Sequence, residues 1–236
     1  MAERVVLTKP LYLDWLNDVA IYAVQGLSRK DAGDELNKTL GQCIASEDTI
    51  RKTRIILLNT WYDTTPWILE LAQTTFCEVT SDEKLAIHYA LLADQYKIFY
   101  DMADVIGHLL EYRESISAAL IKEKIYDKWG NRTTLDAALS KNLKTFREMQ
   151  LLCSPNKKTE YTGVKHNITD IHVIGLLLYA LLKNSAQDYI SWDAFIASPF
   201  MFPFAVSSVD ESHMAALSYV ELNRFDNQTV LSIKNE

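Results

Sequence analysis

The chain has 236 residues, of which 48% are hydrophobic and 23% charged, the composition of an ordinary soluble globular protein. Its net charge of −7 argues against a protein that coats nucleic acid non-specifically. Only seven glycines and five prolines are present, which disfavours a β-rich fold with many tight turns and favours helices.

The composition also bears on location. The three cysteines, Cys43, Cys77 and Cys153, are scattered and lack a CxxC spacing, so we predict neither a disulfide framework nor a zinc site and expect a reducing cytoplasm. The N-terminus has no basic segment followed by an apolar run, so it is not typical of a signal peptide. The most apolar run, Ile171–Leu182, is far shorter than the roughly 20 residues that span a bilayer, which predicts a buried core helix and no membrane contact.

The N-terminal part is predicted to be helical throughout. Helical spacing of apolar residues and capping signals place helices at Leu11–Gly26, from the cap Ser28 to about Gly41, from the cap Ser46 to about Trp61, and at about Thr65–Thr74 with Pro66 in its first turn. From the cap Ser81 to Arg113 the pattern fits one long helix or two consecutive ones, with an aromatic-rich core stripe that includes Tyr89, Tyr96 and Phe99.

The rest of the chain combines helices with two hairpins. The predicted helices are Ser115–Lys128, Leu135–Leu151, Asp170–Lys183, Ser191–Ala197 and Val209–Leu217. A small hairpin is predicted after Cys153, and a second at the C-terminus, where LSYVELNRF and TVLSIK flank DNQ. The predicted fold is mainly α: a multi-helix bundle with a winged helix-turn-helix-like segment and a short C-terminal β-hairpin. We divide it into residues 1–110, 111–169 and 170–236.

Charge is distributed unevenly along the chain. Residues 111–169 carry 11 basic and 7 acidic side chains, whereas residues 1–110 carry 10 and 16, and residues 170–236 carry 3 and 8. The middle part is the only one with a positive net charge, which is a modest indication of an anionic partner.

The middle part fits a winged helix-turn-helix. In this interpretation TTLDAAL is the short second element, Ser140–Met149 is the recognition helix, and the hairpin is a wing tipped by lysines. Leu143, Phe146 and Met149 recur every three residues and so define a buried face, which would leave the polar residues between them largely exposed. A solvated surface helix followed by a loop explains the same pattern.

A second basic site, TIRKTR, lies early in the helix capped by Ser46, where an anionic partner would offset cations at the positive end of the helix dipole. A solvated helix face is again the alternative. Lys and Arg neutralise phosphates, and Asn and Arg hydrogen-bond base edges. The candidate DNA-contacting residues are Arg51, Lys52, Arg54, Lys141, Asn142, Lys144, Thr145, Arg147, Lys157, Lys158 and Lys165.

No catalytic motif is recognisable. HExxH, GxSxG, P-loop and dinucleotide-binding glycine patterns are all missing from the sequence. The histidines lie in unrelated contexts, and His88 and His108 fall in aromatic helices where a core or boundary role is expected. We therefore predict no enzymatic activity and no cofactor.

Several segments resemble the BrxA-like family of the BREX bacteriophage-exclusion systems of bacteria. The segment GLSRKDAGDELNKTLGQCIASEDTIRKTRIILLNTW resembles its helix pair with a Thr-led basic helix, and YALLADQYKIFYDMADVIGHLLEY resembles its central aromatic helix. IYDKWGNRTTLDAALSKNLKTFREMQLL resembles its block in which a Trp precedes a Ser/Thr-led helix and a closing Leu pair, and the segment from SWDAFIASPF onward is also similar.

The resemblance implies a small, soluble, mostly helical protein, likened to the NusB fold and to winged-helix units, that binds double-stranded DNA as an accessory to antiviral phage defence. Its implied partners are DNA and other BREX proteins, while homo-oligomer formation stays open. The acidic net charge predicts DNA binding that is weak, salt-sensitive or dependent on a partner subunit. Two alternatives remain: a scaffold subunit that docks onto a larger defence protein without binding DNA, and a small transcriptional regulator.

Overall fold

The structure is a computed structural model that describes residues 7–131, 133–155, 159–225 and 228–234. It is mainly helical. The helices are α1 (Leu13–Val24), α2 (Arg29–Cys43), α3 (Glu47–Tyr62), α4 (Pro66–Phe76), α5 (Ser81–Gln95), α6 (Lys97–Glu111), α7 (Ala118–Trp129), α8 (Thr133–Glu148), α9 (Ile171–Ser185), α10 (Trp192–Ile196) and α11 (Glu211–Met214), with a 3-10 turn at Pro199–Met201.

Eight short strands form three small sheets in the described part of the chain. The strands are β1 (Ile116–Ser117), β2 (Leu152–Cys153), β3 (Glu160–Gly163), β4 (His166–Ile168), β5 (Tyr189–Ser191), β6 (Phe204–Val206), β7 (Val220–Phe225) and β8 (Gln228–Ile233). The first sheet has the antiparallel order β1-β3-β2, the second pairs β4 and β6 in parallel, and the third has the antiparallel order β5-β8-β7.

Most predicted helix starts are confirmed. Ser28 and Ser46 cap α2 and α3 by accepting hydrogen bonds from the backbone N–H groups of Asp31 and Thr49, which would otherwise lack an intrahelical partner. Pro66 occupies the first position of α4, as predicted.

The predicted cap of α5 is wrong by one residue. Thr80 is the cap, and Ser81 is the first helical residue. The Thr80 hydroxyl accepts from the backbone N–H of Glu83, while the Glu83 carboxylate accepts from the backbone N–H of Thr80. This reciprocal capping box satisfies two donors at once, which a cap at Ser81 would not do.

The segment from 81 onward forms two helices rather than one. Tyr96 interrupts them with an extended backbone (φ −130°, ψ 97°), and its buried hydroxyl donates to the Ile56 carbonyl oxygen in α3. The central helix α5 packs along α9, and both are buried over most of their length, so the prediction of a core helix near Ile171–Leu182 is confirmed. No helix in the described ranges is long and apolar enough to cross a bilayer.

The C-terminal hairpin is also confirmed, as β7 and β8, with β5 added as a third strand along β8. Gly107 allows α6 to approach the 3-10 turn closely, because a Cβ atom at this position would lie 1.9 Å from the Pro199 carbonyl oxygen. The 3-10 turn, which leads from α10 into β6, therefore packs directly against α6.

Candidate nucleic-acid interface

Helices α6, α7 and α8 and the sheet β1-β3-β2 form one connected unit. Buried Asp101 in α6 accepts hydrogen bonds from Lys128 Nζ (2.7 Å) and from the Trp129 indole N–H (2.8 Å), both at the end of α7. In turn, Asp136 in α8 accepts from Lys122 Nζ (2.7 Å) and from the Tyr126 hydroxyl (2.8 Å) in α7. Charged hydrogen bonds thus tie α7 to both neighbours.

The turn between α7 and α8 depends on Gly130. Its backbone has φ +74° and ψ 154°, a region open essentially only to glycine. The Gly130 N–H donates to the Tyr126 carbonyl oxygen and closes α7, so that α8 begins after a short turn.

Helix α8 is one uninterrupted helix. The prediction of a single helix through this region is confirmed, whereas the division into a short TTLDAAL element and a separate helix from Ser140 to Met149 is wrong. Leu143, Phe146 and Met149 face the core as predicted, and the Phe146 ring stacks on Phe99 of α6 with 4.7 Å between centroids.

Two of the predicted contact residues on α8 are buried. Asn142 and Thr145 have 0% exposure, so the expectation that they lie on the exposed arc is wrong. Residues 7–12, which we name the N-terminal segment, cover this side of the helix. Asn142 Nδ2 donates to the Leu7 carbonyl oxygen (3.0 Å), and the Leu11 backbone N–H donates to Thr145 Oγ1 (2.9 Å). These polar side chains fix α8 to the protein and cannot reach a base edge.

The three basic residues of α8 remain on its outer side. Lys141 and Arg147 are exposed, and no ion pair involves either of them within the described residues. Lys144 is half-buried because its amine lies over the ring of Tyr12, 4.9 Å from the ring centroid. This cation–π contact leaves the charge of Lys144 intact while it restricts the side chain.

A hairpin after α8 is confirmed as β2 and β3, with Leu152 opposite Gly163 and Cys153 opposite Thr162, but its first strand begins at Leu152, one residue before the predicted segment. Lys157 and Lys158, predicted at its tip, lie outside the described residues. Lys165 lies at the other end of β3, since the neighbouring Val164 N–H donates to the Leu151 carbonyl oxygen beside the end of α8. Its amine points at the Phe204 carbonyl oxygen (3.5 Å), and partial desolvation lowers its pKa.

The second predicted basic site lies in the first turns of α3. Arg51 and Lys52 are exposed, and both pair with Asp48, at 2.8 and 2.6 Å. These hydrogen bonds lower the pKa of the Asp48 carboxyl, so it stays ionised. Arg54 is half-buried and lies beside Gly33 of α2.

Lys9 and Tyr12 were not predicted to take part. Lys9 Nζ donates to Thr49 Oγ1 (3.1 Å) at the start of α3, while Tyr12 contacts α8. No periodicity marks either residue, and the only sequence signal is the basic character of Lys9 three residues before the aromatic Tyr12.

The histidines do not form a site. His88 is fully buried, where it accepts from the Trp61 indole N–H (3.2 Å) and lies 3.0 Å from Asn17 Oδ1. Burial lowers its pKa to about 3, which keeps it neutral, as suits a core histidine. Among the described residues no cluster of His, Cys, Asp and Glu has the arrangement needed to hold a metal ion.

Comparison of the chain with protein-family models, with curated proteins and with solved structures finds no match.

Proposed function

We propose that the protein binds double-stranded DNA without catalysing a reaction, and that α8 is its recognition helix. The observation that carries the proposal is the order α6-β1-α7-α8-β2-β3 with β3 between β1 and β2. A helix pair joined by a short turn, followed by a hairpin whose sheet is completed by an earlier strand, is the arrangement of a winged helix-turn-helix.

The outer side of α8 suits a groove of duplex DNA. Toward its N-terminus the exposed residues include Thr134, Ala137 and Ser140, whose small side chains permit close approach to base edges. One further turn along, Lys141, Lys144 and Arg147 provide cations for phosphates. The helix can therefore enter a groove with its first half while its second half contacts the backbone.

The acidic net charge limits how such a protein binds. Because the positive charge is concentrated in residues 111–169, the acidic parts repel any duplex that is not aligned with α8. We expect weak binding in which a few phosphate contacts dominate, and hence a marked dependence on salt.

The biological setting is proposed from the sequence resemblance. It assigns the protein to a bacterial phage-defence system of the BREX type, as a DNA-binding accessory. Genes for a methyltransferase, a large ATPase and a phosphatase-like protein next to its own would support this setting, and their absence would count against it.

The test is the affinity for a labelled duplex of about 30 base pairs, roughly three helical turns. We expect the variant Lys141→Ala, Lys144→Ala, Arg147→Ala to bind at least about ten-fold more weakly at 0.1 M salt. The matched control is Lys30→Ala, Lys84→Ala, Arg224→Ala, which removes the same charges elsewhere and includes Lys84, whose amine lies over Phe76 as Lys144 lies over Tyr12. Equal affinity of the two variants would contradict the proposal.

A second candidate is a scaffold that docks onto another defence protein. Tyr112 favours it, because this side chain is 77% exposed at the end of α6, beside a cleft of about 600 Å³ lined in part by Val105 and Leu109. Exposed aromatic residues are enriched at protein interfaces. Recovery of a partner by the wild-type protein but not by Tyr112→Ser, with no DNA binding by either, would favour the scaffold.

A further inference from the structure

The N-terminal segment joins the two basic sites that lie far apart in the sequence. Leu7 and Leu11 bond to Asn142 and Thr145 in α8, whereas Lys9, between them in the chain, bonds to Thr49 in the first turn of α3. The start of α3 and the second half of α8 are therefore neighbours across one short stretch of chain.

The distance between the two basic sites is shorter than one turn of a DNA duplex. Consecutive Cα atoms are about 3.8 Å apart. The backbone from Lys9 to Leu11, the extended Lys9 side chain and the two hydrogen bonds to Thr49 and Thr145 together span about 25 Å, so these two threonines lie within that distance of each other. One turn of B-DNA covers about 34 Å. A single duplex is thus long enough to meet both.

Part of the positive charge of the basic site on α3 is neutralised by an acidic side chain of the same helix. We name Lys9, Arg51, Lys52 and Arg54 the α3 patch. Asp48 holds two of these four cations, with one carboxylate oxygen on Arg51 and the other on Lys52. All three side chains are about half exposed, so these pairs contribute little to folding and their charges can regroup around another anion.

We infer that the α3 patch contacts the phosphate backbone of the same duplex that α8 binds, and that Asp48 weakens this contact by competing with the phosphates for Arg51 and Lys52. The inference rests on the proposed DNA binding and adds to it a second contact region and an attenuating residue. Phosphate oxygens accept the same hydrogen bonds as the Asp48 carboxylate, so DNA replaces one anion with another.

The sharpest test is a substitution that strengthens binding, since damage to the fold cannot imitate a gain. Asp48→Asn removes the competing charge and its repulsion of nearby phosphates. We expect a two- to five-fold tighter affinity for the 30-base-pair duplex at 0.1 M salt. The double variant Arg51→Ala, Lys52→Ala should bind more weakly than wild type. The slope of the logarithm of the association constant against the logarithm of salt concentration should flatten by up to about 0.9 per lost phosphate contact.

Asp31→Asn is the matched control. Asp31 is likewise an exposed acid in the first turn of a helix, so its substitution removes the same charge from a similar helix position. It lies at the other end of the α2–α3 pair, because Arg29 at the start of α2 bonds to Asp63 just after α3. We expect Asp31→Asn to leave DNA affinity within two-fold of wild type.

The outcomes separate the inference from the proposed function. If Asp48→Asn binds no more tightly than Asp31→Asn, the inference is wrong. It is also wrong if removal of Arg51 and Lys52 leaves the affinity and the slope of its salt dependence unchanged, while the α8 variant binds more weakly and has a flatter slope. Either result would place the α3 patch off the interface. If the wild-type protein binds no duplex even at low salt, the proposed function fails and the inference fails with it.

Discussion

The backbone N–H of Leu11 donates a 2.9 Å hydrogen bond to the hydroxyl of Thr145, which lies 134 residues further along the chain. Thr145 is fully buried, and its own hydroxyl donates to the Lys141 carbonyl oxygen one turn earlier in α8. The N-terminal segment is therefore docked on the helix that we propose contacts DNA. This docking explains why Thr145 and Asn142 stabilise α8 rather than reach a ligand.

Thr145→Val tests the docking of the N-terminal segment. Valine has nearly the same shape but leaves the buried Leu11 N–H without an acceptor, which costs about 1–3 kcal/mol. We expect the free energy of unfolding to fall by this amount in urea denaturation.

Thr39→Val in α2 is the control, since the Thr39 hydroxyl also bonds to the carbonyl oxygen four residues earlier (3.5 Å) but makes no hydrogen bond outside its own helix among the described residues. Equal losses in the two variants would show that the Leu11–Thr145 bond contributes nothing specific.

Gly107→Ala tests the close approach of α6 to the 3-10 turn. The added methyl group would lie 1.9 Å from the Pro199 carbonyl oxygen, a backbone atom that cannot rotate away. We expect a loss of about 3 kcal/mol or more in the free energy of unfolding, at or above the usual range for overpacking.

Gly41→Ala provides the opposite expectation in the same assay. Gly41 is also helical, and a Cβ atom there would have no atom within 4 Å. Alanine should stabilise the protein by about 0.5–1 kcal/mol because it is the better helix former. If both alanine variants changed stability in the same direction, the close packing at Gly107 would be in doubt.

Glu83 should make stability depend on pH. Burial of its carboxyl opposes ionisation, but hydrogen bonds from Thr169, Thr80 and Asp170 outweigh burial and lower its pKa from 4.5 to about 2. Because the pKa is lower in the folded state, the ionised group stabilises the fold above about pH 4.5. This contribution, about 3 kcal/mol, is lost as the pH falls from 4.5 toward 2.

The measurement compares wild type with Glu83→Gln at pH 7 and at pH 3. The stability difference should be about 3 kcal/mol at pH 7 and should shrink clearly at pH 3. Glu78→Gln, at an exposed position before α5, should show little difference at either pH. A difference between wild type and Glu83→Gln that stayed constant over this range would contradict the assigned role.

Features set by neighbouring residues could be predicted from the sequence. The caps Ser28 and Ser46, Pro66 at the start of α4, and the C-terminal hairpin each depend on a few adjacent side chains. The one-residue error at Ser81 arose because Thr80 and Ser81 are both good caps, and only the position of Glu83 three residues after Thr80 decides between them.

Features set by distant contacts could not be predicted. The spacing of Leu143, Phe146 and Met149 correctly defines one buried side of α8. The buried arc is wider than this spacing indicates, because the N-terminal segment covers the adjacent side and encloses Asn142 and Thr145. The break at Tyr96 likewise depends on Ile56, 40 residues away, and the pairing of β5 with β8 joins residues far apart in the chain.

The salt dependence of duplex binding tests the central claim most directly, because its slope counts the cations that meet phosphates. We predict that the logarithm of the association constant falls linearly with the logarithm of salt concentration for wild type. The slope should flatten by about 2 to 3 in the variant Lys141→Ala, Lys144→Ala, Arg147→Ala, since each lost contact contributes about 0.9. An unchanged slope in this variant, or no measurable binding by wild type at low salt, would contradict a DNA-binding role for α8.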